Sequence, residues 1–275
     1  MRVFQTVLKI SFFIASVSIS FCSFAYTFSG SNTPEEMELY LAKLTGEQAV
    51  LARAKLIKEL ANSIPTDKQR DWVIEQQKHQ GSIVRVNPDH PNQKMTVASV
   101  GMSAKATLLH WNIARLAEVY TAQVQDNSWQ WATYLNDQYI NKSSALAVML
   151  EGISDEKVHL LQQELLSNYS VPSPLTSLMS NKDLLALIKR FPSELLSEQL
   201  LTNSVNEFSY QHIQLIPKLY QDENAIHLLK QANIQEKLTS QALMTMAKKY
   251  SEQQEVQAFL LHQLTQPKVA WFAAA

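Results

Sequence analysis

The chain has 275 residues with 24 lysines and arginines against 25 aspartates and glutamates, and 46% of its residues are hydrophobic. This near-neutral balance and the lack of a basic stripe leave nucleic-acid binding without its main driving force, the neutralisation of phosphates. The single cysteine, Cys22, lies close to the N-terminus. A disulfide framework and a thiolate metal site are therefore excluded from the remainder of the chain.

The first 25 residues have the pattern of a secretory signal peptide. Arg2 and Lys9 accompany an apolar run over residues 10–21, and the small residues Ser23 and Ala25 stand where signal peptidase requires them. The apolar run is too short for a stable membrane span. We expect cleavage after Ala25 and a soluble periplasmic or secreted protein with no membrane span. An uncleaved N-terminal anchor is the alternative.

Residues 26–125 are predicted to form an N-terminal helical module. Thr33 and Thr66 each begin a capping box, in which a threonine and a glutamate or glutamine three residues later satisfy the first backbone amides of a helix. Apolar residues at helical spacing follow both boxes. The predicted helices of this module cover 34–44, 47–62, 67–78 and 103–125.

One small β-hairpin is predicted near 83–100, because two runs of β-branched and apolar residues flank the turn-rich stretch 87–92. A lone hairpin is marginal in water, so we expect it to pack against helices. Asp89 and His90 lie in its loop and are candidate partner-binding residues, since functional residues concentrate on loops held by a scaffold. Ordinary turn formation is the alternative explanation for this loop composition.

Residues 126–180 are predicted to form an irregular helical array. Trp129 and Trp131 are two residues apart and cannot share one helix face, so one of them is expected to face solvent or to pack against another layer. Exposed aromatic side chains stack on sugar rings or anchor a partner, which makes both tryptophans candidate partner-binding residues. Core packing is the favoured alternative. The predicted helices cover 128–140, 142–150, 154–168 and 174–179.

No motif in the chain predicts catalytic, cofactor-binding or metal-binding residues. Ser154 and Lys157 have the spacing of a lysine-activated serine nucleophile, but its companion motifs are absent and Ser154 fits a helix N-cap. Glu156 and His159 have metal-site spacing without the second copy that a dinuclear helix bundle requires. The seven histidines include no zinc-hydrolase pair.

Phe191, Tyr220 and Tyr250 mark a repeat of about 30 residues within 181–275. Each ends an apolar helical pattern, and each is followed by a polar break and a second apolar run. A fixed period in this range is typical of stacked helix pairs, since one unit cannot bury its own apolar face. The predicted pairs are 181–190 with 193–203, 209–220 with 222–231, and 235–250 with 253–265.

These pairs resemble the short HEAT-like repeats of bacterial α-solenoids, which have alanine-rich first helices, leucine-rich second helices and a proline at the turn between units, here Pro267. Pro217, inside a first helix, departs from that pattern. The resemblance implies stacked helix pairs with an extended binding surface and carries over no catalytic residues. The expected fold class is therefore all-α, a HEAT-like helical-repeat array with one small hairpin.

The leading functional hypothesis is a binding or scaffold module for a protein partner or a cell-envelope component, with no cofactor. The alternative is a cell-wall or glycan-acting hydrolase whose two acidic residues come from separate helices, an arrangement that spacing does not reveal. A third hypothesis makes the chain the N-terminal scaffold of a larger assembly.

The C-terminal residues predict self-association. After Pro267 the chain is strongly apolar, and it stops at Ala275 without a second helix. A terminal repeat otherwise exposes the face that the next unit would bury. Trp271 and Phe272 are therefore candidate partner-binding residues that a second copy or another chain would cover. A shortened form of a longer repeat protein is the other explanation.

Overall fold

The computed structural model describes residues 32–167 and 175–266, which are mostly helical with one two-stranded antiparallel hairpin. This confirms the coarse prediction of helices plus a hairpin. The predicted signal peptide lies outside the described residues, so its cleavage stays a prediction. Within the described part of the chain, no helix has the length and apolar character that crossing a membrane requires. The chain divides between Leu116 and Ala117 into two compact units.

The first unit begins with three helices, and the hairpin connects them to a long fourth helix that continues into the second unit. Both predicted capping boxes are present: Thr33 pairs with Glu36, and Thr66 pairs with Gln69. The elements are α1 (Pro34–Leu41), α2 (Gly46–Leu60), α3 (Asp67–Gln76), β1 (Ser82–Val86), β2 (Lys94–Ser99) and α4 (Val100–Gln125).

One network of polar contacts connects α1, α2 and α3 in the first unit. Arg53 of α2 donates to Glu38 of α1 at 2.6 Å, and the Trp72 indole donates to the same carboxylate at 2.7 Å. Partial burial raises the pKa of Glu38, but these two donors outweigh it and hold the pKa below its usual range. In the apolar interior, Thr107 of α4 donates its hydroxyl to the Ile57 carbonyl at 3.0 Å.

The hairpin packs on α2, as expected for a two-stranded sheet, and buries very little of itself. Ile83 is its one buried strand residue, and a bulge follows it, where the pairing register shifts. Arg85 forms an ion pair with Glu47 of α2. The apolar side chains of Val84 and Val86 are half-exposed, so the outer face of the hairpin contributes little to the core.

The second unit continues from α4 through nine more helices within the described residues. They are α5 (Trp131–Asn136), α6 (Lys142–Gly152), α7 (Asp155–Ser167), α8 (Asn181–Arg190), α9 (Glu194–Thr202), α10 (Glu207–Leu219), α11 (Asp222–Ile234), α12 (Glu236–Tyr250) and α13 (Gln254–Leu264). A short 3₁₀ turn, Leu175–Leu178, precedes α8.

Helices α8 to α13 pack in a regular order. Each consecutive pair is in contact, α8 also contacts α10, α9 contacts α11, and α10 contacts α12. Phe191 and Tyr220 follow α8 and α10, and their backbone amides bond the fourth residue back, while Tyr250 is the last residue of α12. Phe191 and Tyr250 are buried, whereas Tyr220 is only partly buried and packs against the apolar cluster that contains Tyr250.

One predicted helix is much shorter in the structure. The helix expected over 128–140 is reduced to α5, because Asn127 adopts a positive φ of 60° and reverses the chain before it. The amides of Ser128 and Trp129 then both bond the Gln123 carbonyl at 2.8 and 3.0 Å. Trp129 therefore precedes α5, and the argument that placed both tryptophans on one helix was wrong.

Candidate functional site

Four aromatic side chains from α4, α5 and the loop between them form one cluster: Tyr120, Trp129, Trp131 and Tyr134. The ring centroids of Tyr120 and Trp129, and those of Trp129 and Trp131, lie 5.3 Å apart in edge-to-face geometry, an arrangement favoured by aromatic quadrupoles. Trp129 is 7% and Trp131 1% exposed. Both therefore lie in the core, as the favoured core-packing interpretation predicted, and neither offers an exposed ring to a partner.

Two polar groups of this cluster are paired with buried acceptors. The Tyr134 hydroxyl donates to Asp183 of α8 at 2.5 Å, and the Trp131 indole donates to the Leu161 carbonyl at 3.1 Å. Burial, followed by the Asp183 charge, raises the pKa of Tyr134 far above its ordinary value, so this phenol remains protonated. The cluster thus connects α5 to α7 and α8 through specific donors.

Lys142 closes the C-terminal end of α5. Its ammonium donates to the carbonyl oxygens of Tyr134, Leu135 and Asp137 at 3.1, 2.9 and 2.7 Å, and it also lies 5.1 Å from the centroid of the Tyr134 ring. A helix C-terminus carries unpaired carbonyls and partial negative charge, which a cation satisfies. Lys142 therefore fixes the short helix that carries Trp131 and Tyr134.

Trp129 also borders a small cavity of about 110 Å³, which we call the Trp129 cavity. Its floor consists of the buried side chains of Val124, Trp129 and Leu161. Trp129 Nε1 is buried and has no hydrogen-bond partner within the described residues, in contrast to Nε1 of Trp131. The residues of the rim are Asn127, Lys157, Leu160 and Glu164.

Lys157 and Asn127 hold the polar side of that rim. The Lys157 ammonium donates to Asn127 Oδ1 at 2.7 Å, while the Lys157 backbone amide donates to Ser154 Oγ at 3.4 Å. Ser154 is thus the N-cap of α7, and the ammonium that a serine nucleophile would need points to Asn127 instead. The Ser154–Lys157 pair is a structural feature of the helix start.

Glu164 is the one acidic residue that lines the Trp129 cavity. Partial burial raises its pKa, and a hydrogen bond with the Trp131 backbone opposes that shift. Hydrolysis of a glycosidic bond requires two carboxyl groups, so this cavity lacks the arrangement of the hydrolase alternative. Residues 32–167 and 175–266 contain no group of three or more histidine, cysteine, aspartate or glutamate side chains that could hold a metal ion.

The other predicted site residues are not brought together with this cavity. Asp89 and His90 are exposed in the hairpin loop of the first unit, where both backbone amides bond Asn87 as parts of a turn. Trp271 and Phe272 lie outside the described residues. The sequence Asp126-Asn127-Ser128 is typical of a turn and indicated that the helix ends there. Nothing in the sequence indicated that Lys157 and Glu164 lie beside Trp129.

Comparison with known proteins finds no matching family model, no similar curated protein and no similar solved structure.

The hairpin loop can be tested without risk to the core. We expect deletion of residues 87–92 to leave the helical circular dichroism nearly unchanged, because Ile83 is the only buried strand residue and lies outside the loop. If Asp89 and His90 contact a partner, the deletion weakens partner capture, and Asp89→Ala with His90→Ala reproduces that loss. Unfolding of the whole chain on deletion would contradict the expectation and assign the loop a structural role.

Self-association through the C-terminus is tested by light scattering. We expect a dimer that becomes a monomer on Trp271→Ser with Phe272→Ser, since two such side chains bury roughly 300–500 Å² per copy. The adjoining helix α13 already exposes Leu261 and Leu264. Tyr139→Ser, which alters an exposed aromatic residue elsewhere, is the control and retains the dimer. A monomeric wild-type protein would refute this prediction.

Proposed function

We propose that the protein is exported and acts as a HEAT-like helical-repeat module, which binds or scaffolds a protein partner or a cell-envelope component. The observation that carries the proposal is a set of polar contacts between residues about one repeat apart. Asn181 Nδ2 donates to Ser209 Oγ at 3.0 Å over 28 residues, and the Tyr210 hydroxyl donates to the Lys237 carbonyl at 3.1 Å over 27 residues. Contacts of this separation are expected where neighbouring units stack in register.

The order of helix contacts supports the same stacking. First helices of successive pairs, α8 with α10 and α10 with α12, are in contact, and so are the second helices α9 and α11. In a solenoid each unit contacts its neighbours through both of its helices. Between Asn181 and Tyr250 this order of contacts supports the proposed stacking of helix pairs.

The second helices carry partly or fully exposed polar side chains that pair between neighbouring helices, and we call this set the polar row. Glu198 of α9 and His227 of α11 are 3.5 Å apart in it, and Lys230 of α11 pairs with Glu255 of α13. Such a row offers donors and acceptors of both charge signs along consecutive units, which suits an extended polar partner. Its members are Glu194, Glu198, Asn224, His227, Lys230 and Glu255.

The experiment compares capture by the wild-type protein and by polar-row variants. The exported form, whose first residue we expect to be Tyr26, is mixed with an envelope extract and separately with purified peptidoglycan. We expect Glu198→Ala with His227→Ala to weaken retention about fivefold, the effect of roughly one lost hydrogen bond. Lys248→Ala with Lys249→Ala, which changes exposed residues of the first helix α12, is the matched control. Equal retention by all three proteins would overturn the proposal.

A further inference from the structure

The Trp129 cavity has the size of a small chemical group. A closed cavity of roughly 150 Å³ accommodates benzene, with its six heavy atoms. The volume of about 110 Å³ therefore fits a group of about four heavy atoms. Because the exposed fraction of Leu160 at the rim is 51%, the remainder of a larger ligand would lie outside, on the protein surface. The cavity suits a side group of a larger molecule.

The lining of the cavity selects an uncharged amide. Lys157 has three ammonium protons and donates one to Asn127, so it can donate to a ligand carbonyl. Glu164 supplies an acceptor for a ligand N–H. Val124, Leu161 and Leu160 provide an apolar contact for a methyl group. One cation and one carboxyl group together favour a neutral ligand with one acceptor and one donor.

The net charge of the second unit also favours a neutral ligand. Residues 117–266 contain 10 lysines and arginines and 16 aspartates and glutamates. This excess of negative charge opposes the approach of a carboxylate or phosphate that would otherwise pair with Lys157. A neutral polar molecule meets no such barrier.

We infer that the Trp129 cavity binds the acetamido group of an N-acetylated sugar in a cell-envelope glycan. The acetamido group has a carbonyl, an N–H and a methyl on four heavy atoms, which match the Lys157 donor, the Glu164 acceptor and the apolar floor described above. The sugar ring would lie at the rim beside Leu160 and Asn127. This inference rests on the proposed export of the protein and names one ligand for it.

The ligand test is a titration followed by nuclear magnetic resonance of the tryptophan indole protons in the full mature chain. N-acetylglucosamine is the probe, and glucose, which lacks the acetamido group, is its matched control. We expect N-acetylglucosamine to shift the indole signal that is lost in Trp129→Phe, with a dissociation constant on the order of 1–10 mM for so small a buried group. Glucose leaves that signal in place. An equal response to both sugars, or no response to either, overturns the inference.

N-acetyl-lysine separates the two sources of an acetamido group. It carries the same group on a protein side chain instead of a sugar. We expect a weaker response than with N-acetylglucosamine, because its flexible stem makes no contact equivalent to the sugar ring at the rim. A response to N-acetyl-lysine that equals or exceeds the sugar response overturns the glycan assignment.

Leu160→Glu blocks the cavity without altering the core, since Leu160 is half-exposed. We expect at least a fivefold weaker response to N-acetylglucosamine, because a charged side chain now occupies the rim. Leu261→Glu changes another exposed leucine, on α13, and retains wild-type binding. Unchanged binding in Leu160→Glu with normal thermal unfolding overturns the inference. If polar-row variants lose envelope capture while Leu160→Glu does not, this inference fails and the proposed function stands.

Discussion

Lowering the pH from about 7 to about 5 is expected to remove about 2 kcal/mol from the free energy of unfolding, and one residue accounts for most of that loss. His212 of α10 is fully buried, and neither of its ring nitrogens has a hydrogen-bond partner within the described residues. Desolvation lowers the pKa of this imidazole from 6.5 to about 4. A buried, unpaired imidazole is stable only in its neutral form.

The direction of this pH effect follows from the number of protons that the folded and the unfolded chain bind. Between pH 4 and pH 6.5 the unfolded chain has a protonated His212, whereas the folded chain keeps it neutral. The unfolded state therefore binds more protons in this window, and stability decreases as the pH falls through it. The full contribution is present above the unfolded pKa and is lost once the pH is below the folded pKa. Integrated over the window, the loss is about 3 kcal/mol.

His212→Phe is the variant that isolates this effect. The phenyl ring replaces a side chain whose polar atoms make no hydrogen bonds, so we expect stability near neutral pH to be retained and the pH dependence between about 5 and 7 to be largely abolished. Urea denaturation at several pH values measures both quantities. His262→Phe, at an exposed position of α13, should keep the wild-type dependence. A His212→Phe protein that still loses about 2 kcal/mol would contradict the assignment.

Asp183→Ala is expected to destabilise the second unit by about 3 kcal/mol, since two kinds of contact are lost at once. Asp183 is 2% exposed and accepts the Tyr134 hydroxyl at 2.5 Å. It also accepts from the Ser180 hydroxyl and backbone amide at 2.8 and 3.2 Å in the capping box of α8. Without the carboxylate, the buried Tyr134 phenol, the Ser180 hydroxyl and the Ser180 backbone amide lose their acceptor.

Asp183→Asn is the matched control for that prediction. The amide oxygen replaces only one of the two carboxylate oxygens, either Oδ1 that accepts from Tyr134 or Oδ2 that accepts from Ser180, so we expect a smaller loss of about 2 kcal/mol. Chemical denaturation followed by far-ultraviolet circular dichroism measures both variants. A loss below about 1 kcal/mol in Asp183→Ala would show that Tyr134 and Ser180 find other acceptors.

Local signals account for what the sequence predicted correctly. Thr33 and Thr66 begin helices because their capping boxes satisfy backbone amides that no tertiary contact needs to supply. The apolar period ending at Phe191 and Tyr250 placed both side chains in the core, since helix burial follows the 3.6-residue repeat. The mostly helical fold with one hairpin was predictable for the same reason.

The site was not predictable, because its parts come from distant segments. The chain turns after α4 at Asn127, which has a positive φ, and Trp129 after this turn lies in the core. The composition after residues 126–127 resembled one helix over 128–140, so the sequence placed both tryptophans on that helix, with core packing as the favoured interpretation. The approach of Lys157 and Glu164 to Trp129 depends on how α7 packs, and residue spacing contains no information about that packing.

The three-carbonyl contact of Lys142 also determines how this amine reacts. Acylating reagents need an unprotonated, accessible amine, and the Lys142 ammonium has each of its three protons engaged by a carbonyl oxygen. Exposed lysines such as Lys248 and Lys249 retain free ammonium groups at the surface. In a lysine-labelling experiment on the folded chain, Lys142 should therefore be modified late, and its labelling should report the opening of α5 rather than surface exposure.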